Sequence, residues 1–141
     1  MRREKITELI VERANKFGPY NPQQLKQLDF VLSKLDPEEV FYGLYMVFIS
    51  APCQAFAPQE LAGKLLVSVK PELKLDLAPL IVGVLENWNV SVEELPLYFR
   101  DICGIESLSV AIESINSYEL NENQKNGLKT MKWWLGLSGN G

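Results

Sequence analysis

Between Val40 and Gln59 the chain reads VFYGLYMVFISAPCQAFAPQ, with no Lys, Arg, Asp or Glu, although 23% of the protein is charged. The first half of this stretch, VFYGLYMVFI, is apolar at every angle of a helical wheel, so a helix there needs cover on two or more sides. A chain that buries one helix so completely must wrap other elements around it. The run is too short to span a bilayer, since only about ten residues precede Ser50 and Pro52 and a span takes ~20. The expectation is a buried central helix in an all-α domain.

The remaining helices announce themselves by their ends. Ile6, Ile10, Ala14 and Phe17 recur at helical spacing until Gly18-Pro19. Asn21-Pro22-Gln23-Gln24 and Asp36-Pro37-Glu38-Glu39 each place a capping residue before proline, which suits the first helical position because it lacks an N–H. The second helix has the stripe Leu25, Leu28, Leu32, Leu35, and the Asp36 start launches the central helix. Pro52 disfavours helix at Ala51, so the central helix ends near Ser50. A fourth helix opens at Ala57-Pro58-Gln59-Glu60, with Leu61, Leu65 and Leu66 inward. For the fifth, either Pro71 is its first residue or Asp76 is its cap. Ser91-Val92-Glu93-Glu94 reads as a capping box for the sixth, ending at Gly104. The seventh carries Ile105, Leu108, Ile112 and Ile115; the eighth is capped by Asn121 with Gln124 and turns Leu128, Met131 and Leu135 inward. No segment alternates with period two, so no sheet is expected.

This pattern predicts about eight helices in antiparallel pairs, as a superhelical stack or a compact bundle, forming one domain over residues 1–137 with a disordered tail at 138–141. The segment LAPLIVGVLENWNVSVEELPLYFRDICG, residues 77–104, resembles a HEAT-type hairpin: a Leu-x-Pro-Leu first helix, a polar turn and a second helix ending at Gly. Residues 106–136 echo it more faintly. The Arg that such repeats often carry early in the second helix is absent, and Glu93 and Glu94 stand near that place. The resemblance implies a scaffold for binding and carries over no catalytic residue.

Chemistry narrows the function classes. The chain has no histidine, which excludes imidazole-activated nucleophiles and His-based zinc sites. The acidic pairs Glu38/Glu39 and Glu93/Glu94 stand in first helical turns, where the helix dipole favours acids without any catalytic role. No Gly-rich loop offers phosphates a cradle, so no cofactor is expected. Cys53 and Cys103 are the only cysteines; they fit no metal or redox spacing and read as structural thiols of a cytoplasmic protein. The N-terminal MRREKITELIVERANKF lacks the apolar core of a signal peptide. A net charge of −4 repels phosphate backbones, and neither nucleic acid nor membrane is expected as partner.

What remains is surface. Lys125, Lys129 and Lys132 recur at i, i+4 and i+7 on the last helix, the only bases in a segment from Asp101 onward that otherwise carries acids alone. Trp133 lies beside this stripe, off the Leu128/Met131/Leu135 face. A solvated lysine face is the ordinary meaning of such a stripe; a docking site for an acidic protein is the sharper one. Trp88, before the polar turn Asn89-Val90, is expected on an exposed ridge as a further protein-binding residue. The aromatics Phe41, Tyr42, Tyr45 and Phe48 are core unless they wall a ligand pocket. The functional expectation is a non-catalytic helical scaffold that binds another protein, in an adaptor or immunity role. The alternative is a small-molecule binder with an apolar pocket between the central helices.

Overall fold

The computed structural model describes residues 1–50, 55–116 and 118–137. Among them the chain forms α1 (Arg3–Phe17), α2 (Pro22–Leu32), α3 (Pro37–Ile49), α4 (Phe56–Val69), α5 (Leu77–Leu85), α6 (Glu94–Cys103), α7 (Ile105–Ile115) and α8 (Glu122–Trp134), and no strand. Cys53 and the expected tail at 138–141 lie outside the described residues.

Three helices start on the caps read from the sequence. Asn21 Oδ1 accepts from the Gln24 N–H at 3.1 Å, and Asp36 Oδ1 from the Glu38 N–H at 3.1 Å. Asn121 and Gln124 complete a reciprocal capping box, with bonds of 2.8 and 2.9 Å. The box expected at Ser91 does not form. Its N–H and hydroxyl both donate to Asn89 Oδ1, at 3.1 and 2.6 Å, and this local turn delays α6 until Glu94. Pro96 then falls in the first turn of α6, where a missing N–H leaves no bond unmade. Asp76, not Pro71, precedes α5.

Helix α3 is the centre of the molecule: Val40, Phe41, Gly43, Leu44, Tyr45, Val47 and Phe48 are all buried. It takes its cover from α1, α4 and α5. The α1–α3 contact is the most extensive between any two helices and is close because residue 43 is glycine. A Cβ there would stand 2.6 Å from Ile6 Cβ, well inside van der Waals contact. Thr7 Oγ1 donates to the Gly43 carbonyl at 2.7 Å across the same seam. At its end, Arg3 Nη2 lies 2.6 Å from Glu39 Oε2 with the guanidinium 4.6 Å from the Tyr42 ring centre. The buried tyrosines keep their hydroxyls paired: Tyr45 donates to the Leu80 carbonyl and Tyr98 to that of Pro71.

The helices interleave more than they pair off in chain order. Helix α1 leans on α3 and α4, α4 on α6, and α5 on both α7 and α8, whereas α1/α2, α5/α6 and α7/α8 touch sparsely. Residues 77–104, which most resemble a HEAT hairpin, therefore supply two helices whose main partners lie elsewhere. The reason is composition: α5 is charge-free, α3 is so beyond its first turn, and each draws cover on more than one side. Ile105, expected in the core, is 40% exposed at the first turn of α7, while Leu108, Ile112 and Ile115 are buried.

Candidate functional site

Helix α8 is set down on α5 by a second close approach. A Cβ on Gly127 would lie 2.9 Å from the Leu85 carbonyl oxygen, so only glycine lets the two backbones come this near. Leu128, Met131 and Leu135 go into the core from the adjoining face. Asn121 Nδ2 reaches Glu86 Oε2 at 2.9 Å, and Trp134 Nε1 donates to the Val90 carbonyl at 2.8 Å.

Because α7 and α8 both pack on α5 and hardly on each other, a cleft of about 730 Å³ opens between them. Tyr118, Leu120 and Leu137 supply its accessible apolar surface, backed by Ile112, Ile115 and Leu128, which are themselves buried. Lys125, Lys129 and Lys132 all line it from α8, opposite Ser109, Glu113 and Asn116 of α7 and its end. Lys125 lies 3.7 Å from Glu122, an exposed i,i+3 pair that contributes little. Among the described residues, Lys129 and Lys132 have no carboxylate partner.

The two tryptophans singled out from the sequence part company. Trp133 is 62% exposed, with its ring edge-on to Trp134 at 4.7 Å, and it does not line the cleft. Trp88 is 4% exposed and donates its Nε1 proton to the Val92 carbonyl at 3.0 Å, so it is a core residue and not a surface anchor. The turn around it is pulled inward by fully buried Gln59, whose amide donates to the Asn87 carbonyl at 2.9 Å and accepts from the Asn89 N–H at 2.7 Å. Phe41, Tyr45 and Phe48 are packed in the core, and with Tyr42 they line neither this cleft nor the one described next.

A second cleft, also about 730 Å³, lies between α2 and α4. Leu25, Phe30 and Val67 line it with Lys26, Lys34 and Lys64. Phe30 is 63% exposed and carries Lys34 Nζ 3.8 Å from its ring centre. Behind it a polar cluster joins three elements. Tyr20 donates to Glu60 Oε2 at 2.8 Å, and Lys64 Nζ lies 3.5 Å from Glu94 Oε2. Glu60 is 7% exposed, and its Oε1 has no partner while the carboxylate is ionised. Burial, and after it the adjacent Glu94, push its pKa up to about 7 against the opposing pull of Tyr20 and Lys64. A proton on Glu60 supplies the donor that this pair of carboxylates otherwise lacks.

Sequence reasoning missed this cluster. Phe30 was findable as an aromatic off the Leu25/Leu28/Leu32 stripe; Glu60 and Glu94 were not, since Glu94 stands in a first turn where an acid is ordinary and Glu60 lies close to the start of α4. Elsewhere, the Arg3 side chain holds Glu39 below the usual carboxylate range, and burial raises the Cys103 thiol, leaving it a poorer nucleophile. Among the described residues no three His, Cys, Asp or Glu side chains gather as metal ligands, and no helix is long and apolar enough to cross a membrane. Fold and site together define an all-α protein with a lysine-edged, apolar-floored cleft. Comparison with protein-family models, with curated proteins and with solved structures finds no match to the chain.

Proposed function

We propose that the protein is a non-catalytic α-helical scaffold that binds another protein through α8 and the cleft beside it. The observation that carries this reading is a row of lysines over an apolar floor in a chain of net charge −4. A local basic edge on an acidic protein steers an acidic partner, and the apolar floor retains it once docked. Nucleic acid fits less well, because phosphates gain nothing from the floor and meet Glu113 in the cleft and Glu122 beside Lys125. Exposed Trp133 adds a large amphipathic surface one residue beyond the stripe. We place this role in the cytoplasm, as an adaptor or immunity type of interaction.

The test is affinity capture on the immobilised chain, followed by kinetics on the purified partner. Reversing Lys129 and Lys132 to Glu is expected to slow association, with added salt giving the same effect. Trp133→Ala is expected to weaken binding by at least ~2 kcal/mol if the Trp is an anchor. A partner whose kinetics ignore all three substitutions removes α8 from the interface.

A further inference from the structure

We infer that the α7–α8 cleft takes a single amphipathic helix of the partner, with acidic residues along one flank at i, i+4 and i+7; this rests on the protein-binding reading above. Three features of the cleft select that occupant. It is a gap between two helices that share a support and diverge from each other, so a third helix laid along it completes the packing around α5. Its open apolar lining is Tyr118, Leu120 and Leu137, backed by the buried side chains of Ile112, Ile115 and Leu128, which calls for an apolar stripe. Its charge is one-sided: three lysines on α8 face Ser109, Glu113 and Asn116, so acids are favoured on one flank of the occupant and disfavoured on the other.

The lysine row fits this geometry. Lys125 to Lys132 spans seven residue steps, or about 10.5 Å along α8, which is about two turns of a facing helix. A second copy of the chain does not supply such a helix. Its α1 has Glu4, Glu8 and Glu12 at i, i+4 and i+8, close to that spacing, but the accompanying Ile6 and Ile10 are fully buried against its own core.

The experiment uses the full chain and three synthetic helical peptides with the same leucine stripe. One has Glu at i, i+4 and i+7 on one flank, one has the same Glu residues on the opposite flank, and one has Lys in place of Glu. Calorimetry gives affinity and amide chemical shifts locate the site. The first peptide is expected to bind at least about tenfold more tightly than the third and more tightly than the second, shifting residues of α7 and α8. Reversing Lys129 and Lys132 to Glu, both at the surface, should cost about tenfold and invert the preference between the first and third peptides. Equal affinities for all three peptides, or shifts confined to the α2–α4 cleft around Phe30 and Val67, overturn the inference. A captured protein that still binds when the first peptide saturates the cleft also overturns it, while leaving the scaffold reading intact. Binding of the first peptide in the cleft, with no protein captured at any salt, supports the cleft's chemistry and counts against the scaffold reading alone.

Discussion

The Tyr20 hydroxyl donates to Glu60 Oε2 at 2.8 Å, tying the α1–α2 turn to a carboxyl group that is buried beside a second one, Glu94. Helices α4 and α6 thus meet across a pair of acids with Lys64 as the neighbouring base. One proton resolves the pair. Without it, two like charges stand together away from water.

That arrangement makes stability depend on pH with a definite sign. Glu60 is raised to about 7 in the folded chain from its ordinary 4.5, so the folded state binds more protons across that window. Its contribution is full below the unfolded pKa and is lost as pH rises toward 7. Glu39, lowered chiefly by the Arg3 side chain, acts oppositely, and its contribution is lost only as pH falls below the usual carboxylate range. Wild type should therefore melt at a lower temperature at pH 8 than at pH 5.5. Glu60→Gln mimics the protonated form, keeping an acceptor for Tyr20 and a donor for Glu94. It should flatten that slope and exceed wild type at pH 8. Parallel melting curves for the two proteins across pH 5.5–8 would dismiss the shared proton.

Lys70 ends α4 with φ 52° and ψ 60°, a left-handed conformation that costs a side chain of this size about 1 kcal/mol. Lys70→Gly relieves it while keeping the bond from the residue 70 N–H to the Leu66 carbonyl. The gain should be about 0.5–1 kcal/mol in urea denaturation, at unchanged slope with denaturant.

At an exposed helical position Gly→Ala stabilises by up to about 1 kcal/mol. For Gly127→Ala the sign should reverse, because the new methyl meets the Leu85 carbonyl oxygen at 2.9 Å and a backbone atom has nowhere to rotate. A loss of about 1–3 kcal/mol is expected, against a neutral or favourable result for Asn126→Ala next to it on the exposed side. Equal effects at the two positions would mean that α8 stands further from α5.

Core and surface aromatics should separate cleanly. Phe48 is fully buried in α3, and Phe48→Asp puts an unpaired charge among apolar side chains, at a cost above about 4 kcal/mol. Trp133 is 62% exposed, and Trp133→Ala removes its edge contact with Trp134, worth about 0.5–1.5 kcal/mol. Thermal melts monitored by far-ultraviolet circular dichroism should show an unfolded or severely destabilised first variant and a second close to wild type.

By itself the sequence determined the helices and most of what they hide. A cap such as Asn121 acts on the N–H of Gln124 three residues on, so its signal is complete in a short window. Likewise α3 beyond its first turn has no polar side on which to lie against water, and its burial follows from composition. Tertiary structure decided the partners. Trp88 follows α5 and Trp133 lies in the last turn of α8, yet the first is sealed over and the second is exposed, because a tryptophan's own neighbours do not specify what packs above it. The Ser91 cap lost to Asn89, two residues away, because Asn89 Oδ1 accepts from both the Ser91 N–H and its hydroxyl. Glu94 looked like an ordinary first-turn acid, and nothing near Glu60 marked it, until α4 and α6 were brought together. The lysine stripe of α8 was visible as a stripe, but the cleft beneath it exists only because α7 and α8 share α5 as their support. Hydrogen bonds within a turn are written in adjacent residues; burial, paired charges and clefts are properties of surfaces that meet only when the chain closes.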